Sequence, residues 1–266
     1  RSGRVETVRL TEIFRQASQS LIVMNAHAVN HGELPVLNRT DRDFFFLRRR
    51  DPETVVQTIA QLCQTRLPKN MGIPATEIQV LSPTRKGETG TKNLNLALQA
   101  VLNPPAAGKK EKRYGDFSFR EGDRVMQIRN NYDILWKNPN GLGAGTGIFN
   151  GDIGVIVQID YEAELVTVDF DDKRAEYAFD LLGELEPAYA MTVHKSQGSE
   201  YRAVILSAFA GSPYLLTRSV LYTAITRARE LLIVVGDEEV LAAMVRNDRR
   251  QKRYSGLKLR LEEGTA

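Results

Sequence analysis

The stretch that decides the fold runs from Ala188 to Asp237. It reads Ala-Tyr-Ala-Met-Thr-Val-His-Lys-Ser-Gln-Gly-Ser-Glu-Tyr at Ala188–Tyr201, then Leu-Tyr-Thr-Ala-Ile-Thr-Arg-Ala-Arg-Glu at Leu221–Glu230, then Leu-Leu-Ile-Val-Val-Gly-Asp at Leu231–Asp237. The apolar runs Ala203–Phe209 and Leu231–Val235 are what strands of a parallel sheet covered on both faces require. Between them Val220, Leu221, Ala224, Ile225 and Ala228 recur at helical spacing, which predicts a short helix with Arg227 late in it. A loop dense in hydroxyl, imidazole, ammonium and carboxylate groups therefore lies beside an arginine that a buried strand holds in place.

Outward from this block, three textures succeed one another. Residues 1–116 alternate strand-like and helix-like segments. Val5–Leu10 is a short strand candidate, Leu21, Ile22, Asn25, Ala28 and Val29 share a helical face, and Asp43–Leu47 reads as a buried strand. Asp51-Pro52-Glu53 starts a helix, with Asp as cap and Pro at the first position. Ile78–Leu81 and Leu94–Leu102 are the next strand and helix. Residues 117–186 change period: Arg124–Arg129, Gly154–Asp160, Leu165–Phe170 and Ala175–Phe179 are short β candidates separated by turn residues, which suggests a small antiparallel barrel. Asn138-Pro139-Asn140-Gly141, with glycines continuing to Gly147, reads as a flexible excursion on it. Residues 187–266 return to α/β. The expectation is an α/β domain interrupted by a β insert.

Composition bounds the class. A chain of 266 residues with 42% apolar and 26% charged residues has the make-up of a soluble globular protein. No apolar stretch is long enough to span a membrane. The opening Arg-Ser-Gly-Arg lacks an initiator Met and a signal-peptide core and reads as an internal cut. The single cysteine, Cys63, sits among Val55, Val56, Ile59 and Leu62 as a small buried residue, and a cytoplasmic location fits. With 36 basic against 33 acidic residues the formal charge is +3, too mild to argue nucleic-acid binding by itself. Lys109–Arg113 and Arg246–Arg253 are locally basic and read first as a solvated loop and tail.

The site chemistry is selective about what it excludes. Gly87-Glu88-Thr89-Gly90-Thr91-Lys92-Asn93 approaches a phosphate-binding loop but lacks Gly-Lys-Ser/Thr, so a turn into the next helix is the better reading. Leu231–Val235 followed by Gly236-Asp237-Glu238 mimics a magnesium-binding strand end, yet Asp237 suits a helix cap better. Asp169, Asp171 and Asp172 fall in a hairpin turn and need no metal. Neither nucleophile triads nor metal-ligand spacings occur. The loop Thr192–Gly198 around His194 is open to two readings: it holds successive phosphates of a single strand, or it is a polar turn capping the next helix or strand. Glu200 is open to two as well, an acceptor for ribose hydroxyls or an exposed charge. Arg227 and Arg15 are each either surface arginines or arginines aimed at a γ-phosphate on a neighbouring domain. One of Arg227 and Arg229 is expected to pair with Glu230 or solvent.

In combination these residues resemble motifs V and VI of superfamily 1 helicases, with the Val-His-Lys-Ser-Gln-Gly-Ser-Glu wording closest to the RecD-like branch. Leu10–Gln16 resembles that branch's motif IV. Val80–Thr84 with Gly87, Gly90, Leu94, Asn95 and Gln99 resembles the branch's next motif. Phe149-Asn150-Gly151-Asp152-Ile153-Gly154 resembles its inserted SH3-like barrel, although Ile134–Gly147 is longer than the family's usual link. The resemblance implies the second RecA-like motor domain of an ATP-dependent DNA helicase that moves 5′ to 3′ on single strands. It implies Arg15 and Arg227 at the ATP γ-phosphate, Gly198 and Glu200 on the nucleotide side, and Thr84, Arg85, Thr192, His194 and Lys195 along single-stranded DNA. No residue of this chain would bind metal, and Mg²⁺ would be held by a first motor domain that the chain does not contain, so the chain alone would be inactive. Partners implied are single-stranded DNA, that first domain and other subunits of a recombination complex. A nucleic-acid-binding or partner-docking module and the helicase half of a conjugative relaxase are the alternatives.

Overall fold

The computed structural model describes residues 19–39, 41–141, 143–209, 211–249 and 256–263. The strand candidate Val5–Leu10 and the candidate Arg15 lie outside the described residues. In chain order the α/β elements are α1 (Leu21–His31), β1 (Phe44–Arg48), α2 (Pro52–Gln61), α3 (Leu67–Met71), β2 (Ile78–Ser82) and α4 (Thr91–Leu102). The β insert supplies β3 (Glu111–Tyr114), β4 (Phe117–Arg120), β5 (Arg124–Gln127), β6 (Asn131–Lys137), β7 (Ala144–Ile148), β8 (Ile153–Asp160), β9 (Leu165–Phe170), β10 (Lys173–Ala178) and β11 (Leu185–Pro187). The chain then forms β12 (Ala190–Thr192), β13 (Tyr201–Ala208), α5 (Arg218–Ile225), β14 (Ala228–Gly236), α6 (Glu238–Arg246) and α7 (Leu257–Glu263).

Five strands build a parallel sheet in the order β1-β14-β13-β2-β12. Its two faces are written into the alternation of the central strands. Val204, Leu206, Leu232 and Val234 pack toward α1, α5 and α6, while Ala203, Ile205, Leu231, Ile233 and Val235 pack toward α2 and α4. A strand buried on both faces must be apolar at every position, which is why these runs carry no polar alternation. Each buried Val, Leu or Ile contributes about 1.5–3 kcal/mol, so this sheet is the rigid base of the molecule. Cys63 belongs to this core, and burial pushes its thiol up to about 12.

Local chemistry sets the helix ends. Asp51 accepts from Thr54 N at 2.8 Å with Pro52 in the first turn, as expected. Asp237 caps α6 through Glu239 N at 2.8 Å. Asp43, at the amino end of β1, accepts from Leu21 N at 2.8 Å and so ties the start of α1 to the sheet. The helix from Pro52 widens into a π turn at Leu62–Arg66, where Leu67 N–H reaches Leu62 O. Pro68 has no N–H to give its preceding turn, and the wider turn accommodates it.

The insert is a seven-stranded antiparallel sheet, order β11-β5-β8-β9-β10-β6-β7, with the hairpin β3–β4 beside it. Val125, Ile134, Ile148, Ile156, Val166, Val168 and Tyr177 form its core, and Phe119 of the hairpin joins them. The stretch expected to be a flexible excursion is instead a hairpin: β7 pairs with β6, setting Gly145 opposite Trp136. A Cβ on Gly145 would stand 2.6 Å from the Trp136 ring. The glycine there makes room for indole packing, a signal that composition alone reads as freedom.

One carboxylate joins the insert to the α/β sheet's flanking elements. Asp123 is fully buried and accepts from Gln99 Nε2 (2.6 Å) and Asn103 Nδ2 (2.7 Å) of the α4 segment. It also accepts from Tyr189 OH (2.9 Å) ahead of β12 and from Arg120 N (2.7 Å). Desolvation raises its pKa, and the hydrogen bonds pull it back.

Candidate functional site

The loops that leave the carboxyl ends of β2 and β12 lie side by side, because Thr192 is in register with Ser82. After β2, Ser82 Oγ donates to Thr89 O (3.0 Å) and accepts from Thr84 N (3.2 Å), folding the loop back on itself. Thr91 N and Lys92 N then donate to Thr84 O and Arg85 O. These are the amides a phosphate cradle would need free, so Gly87–Asn93 is the turn into α4 that the sequence indicates. Gly90 is required there, since a Cβ would come within 2.5 Å of Lys86 O.

After β12 the chain makes a tight helical turn. Lys195 N and Ser196 N donate to Thr192 O, and Ser199 N donates to Ser196 O. Ser196 is fully buried and its Oγ donates to Val193 O (2.8 Å). Gly198 closes the turn at φ +90°, in the left-handed region that favours glycine. The turn leaves His194 exposed and Thr192 and Lys195 half-buried. Lys195 Nζ lies 2.6 Å from Glu186 Oε2, and Arg85 Nη2 lies 2.9 Å from Glu186 Oε1. Two cations from separate loops thus share one carboxylate of β11. No motif marks Glu186; only the pairing of β11 with β5 brings it here. Beside the pair a cavity of about 380 Å³ is lined by Lys92, Tyr114, Asp116, Phe117 and Met191 as well as Arg85, Glu186 and Lys195, with Lys92 Nζ 2.7 Å from Asp116 Oδ2. A backbone phosphate entering it would compete with Glu186 and Asp116 for these cations.

Arg227 and Glu200 sit elsewhere, at the amino ends of β14 and β13. Arg227 is not within the helix as expected: α5 ends at Ile225 and is capped by Thr226, and Arg227 occupies the turn before β14. Its backbone O accepts from Tyr201 N (2.9 Å), which puts Arg227 and Glu200 on either side of one hydrogen bond. The guanidinium is tethered three ways: Nε to Thr223 O (3.1 Å), Nη1 to Ser199 O (2.9 Å) and Nη2 to Thr226 Oγ1 (3.1 Å). Of five guanidinium N–H groups, those three bonds leave two. Glu200 is exposed. Glu230 pairs with Arg202 (2.8 Å), while Arg229 is exposed to solvent, the other of the two expected partners.

The structure therefore sorts the candidates into two sets. Thr84, Arg85, Thr192, His194 and Lys195 lie at one end of the parallel sheet, and Arg227 and Glu200 at the other. A five-residue strand such as β2 separates its ends by roughly 15 Å at about 3.3 Å per residue. The segment Val193–Glu200 spans the two, and Arg227 holds its Ser199 carbonyl. Among the described residues no cluster of three His, Cys, Asp or Glu side chains could hold a metal ion, and no helix is long and apolar enough to cross a membrane.

Comparison with known proteins gives the family. Residues 94–170 match the ATP-dependent RecD-like DNA helicase SH3 domain, and residues 187–235 match the UvrD-like helicase C-terminal domain. The ATP-dependent RecD2 DNA helicase of Deinococcus radiodurans is 33% identical over 230 residues, covering 86% of this chain and 28% of that protein. The RecBCD enzyme subunit RecD of Mycobacterium tuberculosis is 38% identical over 191 residues, covering 70% of this chain and 29% of that subunit. The chain thus spans less than a third of the length of either relative. Among solved structures, Bacteroides Pif1 bound to ssDNA aligns with a TM-score of 0.48 at 15% identity, over 95% of this chain and 55% of that one. The α/β fold with its SH3-like insert and the two matched domains, in this order, place the chain in the RecD-like DNA helicases, of which it is a C-terminal portion.

Proposed function

We propose that this chain is the second motor domain of an ATP-dependent DNA helicase, sensing nucleotide at one end of its sheet and gripping a single strand at the other. The observation that carries the reading is the Arg227 guanidinium, tethered by three hydrogen bonds and left with two N–H groups, beside the exposed Glu200. An arginine already held in place loses little freedom when it meets a developing negative charge, as an arginine finger in phosphoryl transfer must. Glu200 offers a carboxylate to ribose hydroxyls, and Gly198 lets the loop turn toward it. By its resemblance to motif IV, Arg15 would address the same γ-phosphate. These groups, the Arg227 donors and the Glu200 acceptor, fit the γ-phosphate and ribose of ATP; they offer nothing for Mg²⁺ or the β-phosphate. Those fall to a first motor domain facing this one, and the Mg²⁺ there would supply charge neutralisation on the phosphates.

At the other sheet end Thr84, Arg85, Thr192, His194 and Lys195 supply hydroxyl, imidazole and cationic donors for a phosphodiester backbone, which carries little sequence information and suits translocation. Ser199 links the ends: moving Arg227 toward nucleotide moves the carbonyl it holds, and with it the turn that bears His194 and Lys195. Movement 5′ to 3′ is taken from the RecD-like branch, and partnership with further subunits from the RecBCD component among the relatives. The test uses the full-length protein on duplexes with a single 5′ or 3′ tail. ATP-dependent strand separation of the 5′-tailed duplex alone is expected; a preference for the 3′ tail, or no ATP-dependent separation, overturns the reading. The isolated chain is expected not to hydrolyse ATP, and measurable turnover by it would contradict the assignment of the β-phosphate and Mg²⁺ to another domain.

A further inference from the structure

Tyr214 is the most exposed large apolar side chain among the described residues, at 78%. Such a ring on a mobile loop would need no explanation, but this one is rigidly mounted. Asn247 Nδ2 donates to both Pro213 O and Leu216 O at 2.8 Å, bracketing Tyr214 from the end of α6. Leu215 N and Leu216 N both donate to Ser212 O, and Leu216 packs into the main core. The Arg249 guanidinium stands 5.4 Å from the ring centroid. The segment comes after the carboxyl end of β13, the same sheet end as the strand-binding candidates. A Cβ on Gly211 would lie 2.7 Å from Thr84 Cγ2, so the segment rests against Thr84. Tyr214, Arg249, Thr217 and Ser219 line one hollow with His194, and none of the described residues lining it is a carboxylate. Asp248, next in chain, faces Arg218 at 3.5 Å.

We infer that Tyr214 is a base-stacking platform for single-stranded nucleic acid, with Arg249 covering one face of the ring and a base taking the other. An ordered, exposed aromatic flanked by a guanidinium and hydroxyls, with no carboxylate among the described residues lining the hollow, has the chemistry of a sequence-tolerant base contact rather than of a protein-binding patch. It adds a base contact to a set of residues that otherwise address phosphate. The inference rests on the strand-binding reading of the carboxyl sheet end.

The experiment compares Tyr214→Ala, Tyr214→Phe and Lys195→Ala in the full-length protein, binding oligothymidylate and an abasic oligodeoxynucleotide of equal length. Tyr214→Ala is expected to weaken oligothymidylate binding about tenfold, in the range of one stacked base, with the salt dependence unchanged. On the abasic strand the variant and wild type should bind alike, and Tyr214→Phe should retain stacking. An equal loss on both strands, or none on either, overturns the platform. If Lys195→Ala still weakens binding in that case, the strand-binding reading stands without it; if Lys195→Ala has no effect either, that reading fails as well.

Discussion

Replacing Asp123 by alanine removes the acceptor on which the α/β unit and the insert converge. Gln99 Nε2 and Asn103 Nδ2 each keep a second acceptor, Ser118 O (2.9 Å) and Glu121 O (3.1 Å). Tyr189 OH and Arg120 N–H lose the carboxylate that satisfies them. A buried donor left without a partner costs about 1–3 kcal/mol, so two of them together with two weakened amides amount to about 4 kcal/mol. That is a large share of the roughly 5–15 kcal/mol by which domains are stable. Trp136, the only tryptophan, lies in β6 and reports on the insert by fluorescence, while far-UV circular dichroism monitors the whole chain. Urea melts should show the Trp136 transition shifted strongly to lower denaturant in Asp123→Ala. The pH dependence adds a sign. Burial lifts the Asp123 carboxyl above its usual range, so the folded protein holds this proton more tightly than the unfolded chain. Its contribution is then full below about pH 4 and is lost as pH rises through the raised value, so the gap between wild type and variant should narrow as pH rises. A loss of under about 1 kcal/mol at every pH would refute the junction's role, since it falls below the cost of one stranded donor.

The geometry dictates two further outcomes. Glu186→Gln removes the one carboxylate that Arg85 and Lys195 share, raising single-strand affinity of the full-length protein and steepening its log–log salt slope by up to about 0.7, the value of one added net phosphate contact; an unchanged slope would mean that Glu186 does not hold the pair back. Gly90→Ala forces a Cβ against Lys86 O and should cost about 1–3 kcal/mol in a denaturant melt, and a neutral result would contradict the tight turn into α4.

How far the sequence could be read depended on the range of the interactions involved. β13 and β14 were legible because a strand buried on both faces has to be apolar throughout. The caps at Asp51 and Asp237 were legible because they act within a few residues. Arg227 lies beyond the helix that its spacing suggests, because the apolar periodicity of α5 runs on into Ala228, which belongs to β14. The hairpin β6–β7 was hidden by its glycines, one of which makes room for the Trp136 ring. Glu186, Asp123 and Tyr214 carry no motif at all; their partners are distant in sequence, and only the fold brings them together. The two ends of the sheet, one for each set of candidates, are likewise a property of strand direction that no local pattern records.

The proposed nucleotide sensing and strand gripping, at opposite ends of one sheet, should be separable by mutation. That separation is tested most directly by measuring DNA-stimulated ATP turnover and single-strand affinity side by side for Arg227→Ala and Lys195→Ala in the full-length protein. Arg227→Ala should lose on the order of a thousandfold or more in turnover while its single-strand affinity stays close to wild type. Lys195→Ala should weaken affinity and lower the salt slope by about 0.7 while turnover at saturating DNA stays close to wild type. Near-normal turnover in Arg227→Ala, or loss of both properties in both variants, would contradict the division of labour between the two ends.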